Sequence, residues 1–233
     1  MIIKPSPNCG PRNSGFEKPT MLVIHYTDMP TSKEALLRLC DPTSSVSAHY
    51  LIDEEGTVYQ MVDECLRAWH AGASYWRGCT DVNSASIGIE LVNPGHTCGY
   101  KPFPTNQMQA LIQLSKNIVN KYHITPLNVV AHSDIAPTRK KDPGELFDWN
   151  SLAQEGVGIM PSPFFESNTI ANAEAVLKAL LTIGYNPADL ENHPTLVIEA
   201  FCRHYLPDYF VKEVEYQQIL AVAKAVCREN SPE

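Results

Sequence analysis

Apolar residues recur along this chain in two rhythms, one for strands and one for helices. Met21-Leu-Val-Ile-His-Tyr26 is a short, continuous β-branched run, which predicts a buried strand that delivers His25 at its edge. Ser86-Ile-Gly-Ile-Glu-Leu-Val92 alternates with period two, so Ile87, Ile89 and Leu91 share one face while Gly88 and Glu90 share the other. Residues 48–52 and 57–62 flank the turn sequence Asp53-Glu-Glu-Gly56 and predict a hairpin. From Thr105 to Tyr122, Met108, Leu111, Ile112, Ile118, Val119 and Tyr122 fall at helical spacing, with Thr105 the expected N-cap. Ser32 to Cys40 predicts a further helix and Asn128 to Ala131 a further strand. The order strand, helix, hairpin, strand, helix, strand specifies an α/β fold with a mixed central sheet flanked by helices.

After Trp149 the pattern changes. Gly156 to Pro163 is a Gly/Pro-rich connector, and beyond it Val176, Leu177, Leu180 and Leu181, then Val197, Ala200, Phe201 and Tyr205, then Ile219, Leu220, Ala223 and Val226 recur at helical spacing. The expected division is therefore residues 1–155, a linker at 156–163, and a small all-α domain at 164–233. Some ~70 residues bury little core alone, so the helical part is expected to pack beside the first domain.

A net charge of −8 over 233 residues argues against a nucleic-acid partner, and Arg139-Lys140-Lys141 is the one dense basic run. No stretch is apolar and long enough for a transmembrane segment. Seven scattered cysteines without a CxxC pair read as free thiols. Together with an N-terminus that carries no signal-peptide pattern, they predict a cytoplasmic protein; a removed leader would leave the same sequence, with a periplasmic or outer-membrane-associated location the alternative. Oligomeric state is not encoded in any pattern here.

His25, His132 and Asp142, the last two ten positions apart, form a candidate metal set. Two imidazoles and a carboxylate suit zinc with a fourth position open, and the same donors suit ferrous iron. A lone histidine is more often a core or capping residue, so the spacing does not decide.

The flanking motifs carry more. Val23-Ile-His25-Tyr, Val46-Ser-Ala-His49-Tyr-Leu-Ile, Ala68-Trp-His70-Ala-Gly72, Ser86-Ile-Gly-Ile-Glu90-Leu-Val-Asn93, and Ala131-His132-Ser-Asp-Ile-Ala-Pro through Asp142-Pro-Gly144 resemble, in order, the zinc-dependent N-acetylmuramoyl-L-alanine amidases. This type 2 amidase family includes the peptidoglycan recognition proteins. The resemblance implies one zinc on His25, His132 and Asp142. It also implies hydrolysis of the amide between N-acetylmuramic acid, or its 1,6-anhydro form, and L-alanine in peptidoglycan or muropeptides. All three ligand positions are intact, which favours an enzyme over a member that binds muropeptide without cutting it. The family reading makes Glu90 the base and Lys140 the stabiliser of the developing oxyanion, and the choice of Lys140 over its basic neighbours rests on the resemblance alone.

His49, Trp69, His70, Asn83 and Arg67 are candidate substrate contacts. For Trp69 and His70 a core position is an even alternative; for Asn83 and Arg67 a turn and a surface role are. The C-terminal helices resemble a small peptidoglycan-binding module, in which His204 is expected to be structural.

Overall fold

The structure is a computed structural model that describes residues 1–163 and 171–229; the expected start of the helical domain, at 164–170, lies outside the described residues. The first part of the chain contains β1 (Ile2–Ile3), β2 (Cys9–Pro11), β3 (Met21–Tyr26), α1 (Ser32–Cys40), β4 (Tyr50–Ile52), β5 (Val58–Gln60) and β6 (Leu66–Ala68). It continues with α2 (Val82–Ala85), β7 (Ser86–Leu91), α3 (Gly95–Cys98), α4 (Thr105–Tyr122), β8 (Val129–Ala131), α5 (His132–Ile135) and α6 (Trp149–Gln154). The helical part is α7 (Ala173–Ile183), α8 (Pro187–Asn192), α9 (Pro194–Tyr205) and α10 (Tyr216–Glu229).

Six strands form one mixed sheet in the order β1-β5-β4-β7-β3-β8, and β2 pairs with β6 apart from it. The expected hairpin is the antiparallel pair β4 and β5. Strands β4, β7, β3 and β8 run parallel, which requires crossovers through α1, α2 and α4 and explains why the central strands are apolar on both faces. Leu22, Ile24, Ile87, Ile89 and Leu91 pack against Met108, Leu111, Ile118 and Val119 of α4. One detail of α4 differs from expectation. Pro104 is its N-cap and Thr105 its first helical residue, because the Pro104 carbonyl already accepts the Met108 N–H at 3.0 Å.

The other face carries Met21, Val23 and Val130. They join Trp76, Val176, Leu180, Val197 and Phe201 in one continuous core, so the helical segment shares its interior with the sheet. That is how so short a segment buries enough apolar surface. The helices cover only part of this face, and the carboxyl ends of β3, β7 and β8 are left to a cleft. Among the described residues no helix is long and apolar enough to cross a membrane.

Candidate metal centre and active site

Three side chains converge where parallel strands end, the usual place for a site in such a sheet. His25 is the fifth residue of β3, His132 follows β8 directly, and Asp142 closes the loop after α5, its carbonyl accepting the Ser133 N–H at 3.0 Å. His25 Nδ1 lies 2.9 Å from His132 Nδ1, and Asp142 Oδ2 lies 3.1 and 3.0 Å from the two rings. All three residues are buried.

The protonation of both rings follows from their outer contacts. The Val82 carbonyl can only accept, so it takes the Ser86 hydroxyl hydrogen at 2.6 Å, and Ser86 Oγ then accepts from His70 Nε2 at 3.2 Å. His70 Nδ1 is left to accept from His25 Nε2 at 2.9 Å, which leaves a lone pair on His25 Nδ1. His132 Nε2 likewise donates to the Ala71 carbonyl at 3.2 Å, leaving its Nδ1 bare. Two lone pairs and a carboxylate oxygen facing one another at about 3 Å repel unless a cation lies among them. Donors at ~2.0–2.1 Å from a tetrahedral zinc stand ~3.3 Å apart, so the set fits such an ion with small adjustment. Burial and then His132 pull the His25 imidazolium down to about 4, so its ring is a neutral donor at pH 7. Burial opposes ionisation of Asp142, but His132 and His25 outweigh it and hold the carboxyl far below its usual range.

Gly88 makes room for this wiring. A Cβ there would come within 2.5 Å of the His70 ring. Gly88→Ala is expected to push His70 off His25, costing ~1–3 kcal/mol of overpacking and weakening metal binding. Thermal melts with and without metal check both effects.

Glu90 pairs in register with His25 on the neighbouring strand, so both side chains rise from the same face. Its Oε2 is buried with no hydrogen-bond partner among the described residues. Burial and then the Asp142 charge raise the Glu90 carboxyl well above the ordinary range, with Lys140 acting the other way. Glu90, Lys140, Tyr26, Trp69, His96, His132 and Asp142 border one cleft of about 520 Å³, with His25 buried behind them. The basic run divides its work. Arg139 donates to the Ala71 and Ala73 carbonyls at 2.8 and 2.6 Å and so clamps the loop bearing His132's acceptor; all three basic residues line the cleft, and the Lys140 charge acts on Glu90.

A family model for N-acetylmuramoyl-L-alanine amidases matches residues 15–145. The N-acetylmuramoyl-L-alanine amidase AmiD of Escherichia coli (strain K12) is 40% identical over 91% of this chain and 84% of its own length. This chain belongs to the N-acetylmuramoyl-L-alanine amidase family. The family member AmpD of Enterobacter cloacae, a 1,6-anhydro-N-acetylmuramyl-L-alanine amidase, is 36% identical over 63% of this chain and 84% of its own. Among solved structures, E. coli AmiD in complex with anhydro-N-acetylmuramic acid-L-Ala-D-γ-Glu-L-Lys matches with a TM-score of 0.81 at 37% identity, covering 93% of this chain and 91% of the other. AmpDh3 from Pseudomonas aeruginosa matches with a TM-score of 0.82 at 30% identity, covering 93% and 94%. The likeness to AmiD and AmpDh3 therefore runs through the helical segment of this amidase-family chain.

Of the residues read as substrate contacts in this amidase-family chain, the structure puts Trp69 and His70 at the cleft, His70 by one edge only since both ring nitrogens are engaged. The other three stand outside the residues that line the cleft. His49 is 0% exposed, its Nδ1 accepting from Gly88 N–H at 3.0 Å and its Nε2 facing the Leu66 carbonyl at 3.1 Å. Asn83 Oδ1 accepts the N–H groups of His70 and Ala71 at 2.9 and 2.8 Å, fixing the loop that contacts both His25 and His132. Arg67 pairs with Asp81 at 3.3 Å outside the residues lining the cleft. The sequence reading missed Tyr26 and His96, which line the cleft and meet at 2.8 Å between Tyr26 Oη and His96 Nδ1. Tyr26 adjoins His25 and was within reach; His96, in the one-turn helix α3 after β7, carried no pattern.

Proposed function

We propose that this chain hydrolyses the amide between N-acetylmuramic acid, or its 1,6-anhydro form, and the L-alanine of a stem peptide, with one zinc ion held by His25, His132 and Asp142. The observation that carries the reading is the convergence of two bare imidazole nitrogens and a carboxylate, 2.9 to 3.1 Å apart, beside a buried carboxylate oxygen of Glu90 that has no partner among the described residues. Membership of the amidase family, and the muropeptide named in the AmiD complex, support the substrate class.

Zinc at this site supplies Lewis-acid chemistry, polarising the carbonyl and acidifying water. The protein's own groups do the rest. Glu90 takes the proton of water as it attacks the lactyl carbonyl carbon, and returns it to the departing alanine nitrogen. Its raised carboxyl suits that exchange, because a carboxylate more basic than usual takes the proton of water more readily and holds it for the leaving nitrogen. Lys140 donates from Nζ to the carbonyl oxygen as negative charge builds there. The ligand rings stay in place through His70, Ser86 and the Ala71 carbonyl, so no reorganisation is required during the reaction.

Lys140→Ala is expected to lower kcat by ~10²–10³, as loss of an oxyanion donor does, with zinc content and KM nearly unchanged. Steady-state kinetics beside metal analysis check it. The function itself is tested by chromatographic separation of products from anhydromuramyl-tripeptide. Free tripeptide and the free sugar acid are the expected pair, and cleavage within the peptide or no cleavage would overturn the assignment.

A further inference from the structure

The residue two positions after the ligand His132 is tied to the far end of the chain. Asp134 is 1% exposed, and its carboxylate accepts three hydrogen bonds. One comes from the Ala131 N–H at 2.8 Å, across the one-turn helix α5 that His132 begins. The other two come from the helical segment: Tyr185 Oη at 2.6 Å, after α7, and His204 Nδ1 at 2.7 Å, near the end of α9. His204 is itself stacked between Trp149 and Tyr205, at ring separations of 3.8 and 3.9 Å. Its imidazole therefore cannot turn away without breaking the core.

We propose that Tyr185 and His204 are positioning residues for the metal centre, holding His132 in register through Asp134. A buried carboxylate with fixed partners cannot shift without losing a hydrogen bond, and charge-assisted bonds of this kind are the stronger ones. Asp134 transmits that rigidity to the turn that sets the His132 backbone. The family model ends at residue 145, so both outer donors lie beyond the segment it matches. In this chain the helical segment is thus a structural part of the metal centre, independent of any contact it makes with the cell wall. The inference rests on His25, His132 and Asp142 binding zinc, and its test separates the two.

The experiment is zinc affinity of the full chain by competition with a chromophoric chelator, with melting temperatures recorded for zinc-free and zinc-loaded protein. His204→Leu is expected to weaken zinc on the order of 10-fold, the lower end of the effect seen when an outer partner of a ligand is lost. Tyr185→Phe, which removes one hydroxyl, weakens it less. His204→Asn places an amide N–H near the position of Nδ1–H and is expected to bind close to wild type. Because His204 Nε2 is buried with no partner among the described residues, the leucine variant also removes an unsatisfied atom, which offsets part of its cost to the fold. Equal melting losses for zinc-free and loaded protein, with affinity unchanged, would overturn the proposal; so would an asparagine variant as weak as the leucine one. If His204→Leu does not fold, unchanged affinity in Tyr185→Phe overturns it. A wild-type protein that does not bind zinc refutes the metal site itself, and this inference with it.

Discussion

Asp142→Ala is expected to yield a protein that holds no zinc through purification and gives no muropeptide cleavage above background. Asp142 Oδ2 is the one anionic donor in the set, 3.1 and 3.0 Å from the two ring nitrogens. Without it two neutral rings remain, so the loss should exceed the ~10–100-fold that removal of an outer partner costs. The loop should survive, because its tie to Ser133 is through the Asp142 backbone carbonyl. Circular dichroism and metal analysis of the purified variant check both halves. The parent carries a pH dependence from the same cause. His25 is held neutral down to about 4 in the folded protein, against 6.5 when free, so the unfolded chain binds the proton first. Stability of the metal-free protein therefore falls as pH drops from about 6.5 to 4, and Asp142 extends the loss to lower pH as its depressed carboxyl is protonated. Zinc should leave over the same acid range, since its donors are the deprotonated forms.

Glu90→Gln is expected to retain full zinc content and lose ~10²–10⁴ in kcat, the worth of a positioned general base. It separates binding from turnover because Glu90 is a neighbour of the ligand set and not a member of it. The wild-type acid limb of kcat/KM should lie above the ordinary carboxylate range and be absent in the variant. Stability should move the other way. A carboxyl raised in the folded state costs stability progressively as pH rises from its unfolded value towards its folded one, so glutamine removes the cost present at neutral pH. Melts in chelator should show the variant more stable than wild type, with ~2–4 °C gained for each kcal/mol in a chain of this size. Full turnover in Glu90→Gln would remove Glu90 from the mechanism.

Much of this site was legible because periodicity alone places its central pieces. Alternation along residues 86–92 put Glu90 and Gly88 on one face, and the β-branched run ending at His25 put a ligand at a strand terminus; both follow from strand geometry. The ligand set and the role of Glu90 needed the family resemblance, since nothing local joins residues 25, 90 and 142.

The partners of the polar residues read as substrate contacts were not legible. His49 and Asn83 are the right types for ligand contact, but their partners are backbone groups of Gly88, Leu66, His70 and Ala71, brought close only by the fold. The same holds for Arg139 and Lys140. Adjacent in sequence and equal in charge, they differ because two carbonyls of the 71–73 loop capture one of them. Asp134 and His204 are 70 residues apart and on different elements, so their bond had no sequence signal.

The most direct test of the central claim is a single-turnover reaction with anhydromuramyl-tripeptide in heavy-oxygen water, with both products weighed by mass spectrometry. Expected are one heavy oxygen in the lactyl carboxylate, an unlabelled free tripeptide, no reaction after chelation, and its return with zinc. Intact substrate recovered from a zinc-loaded protein that binds it, or label in the peptide, would rule out hydrolysis at the lactyl amide by this site.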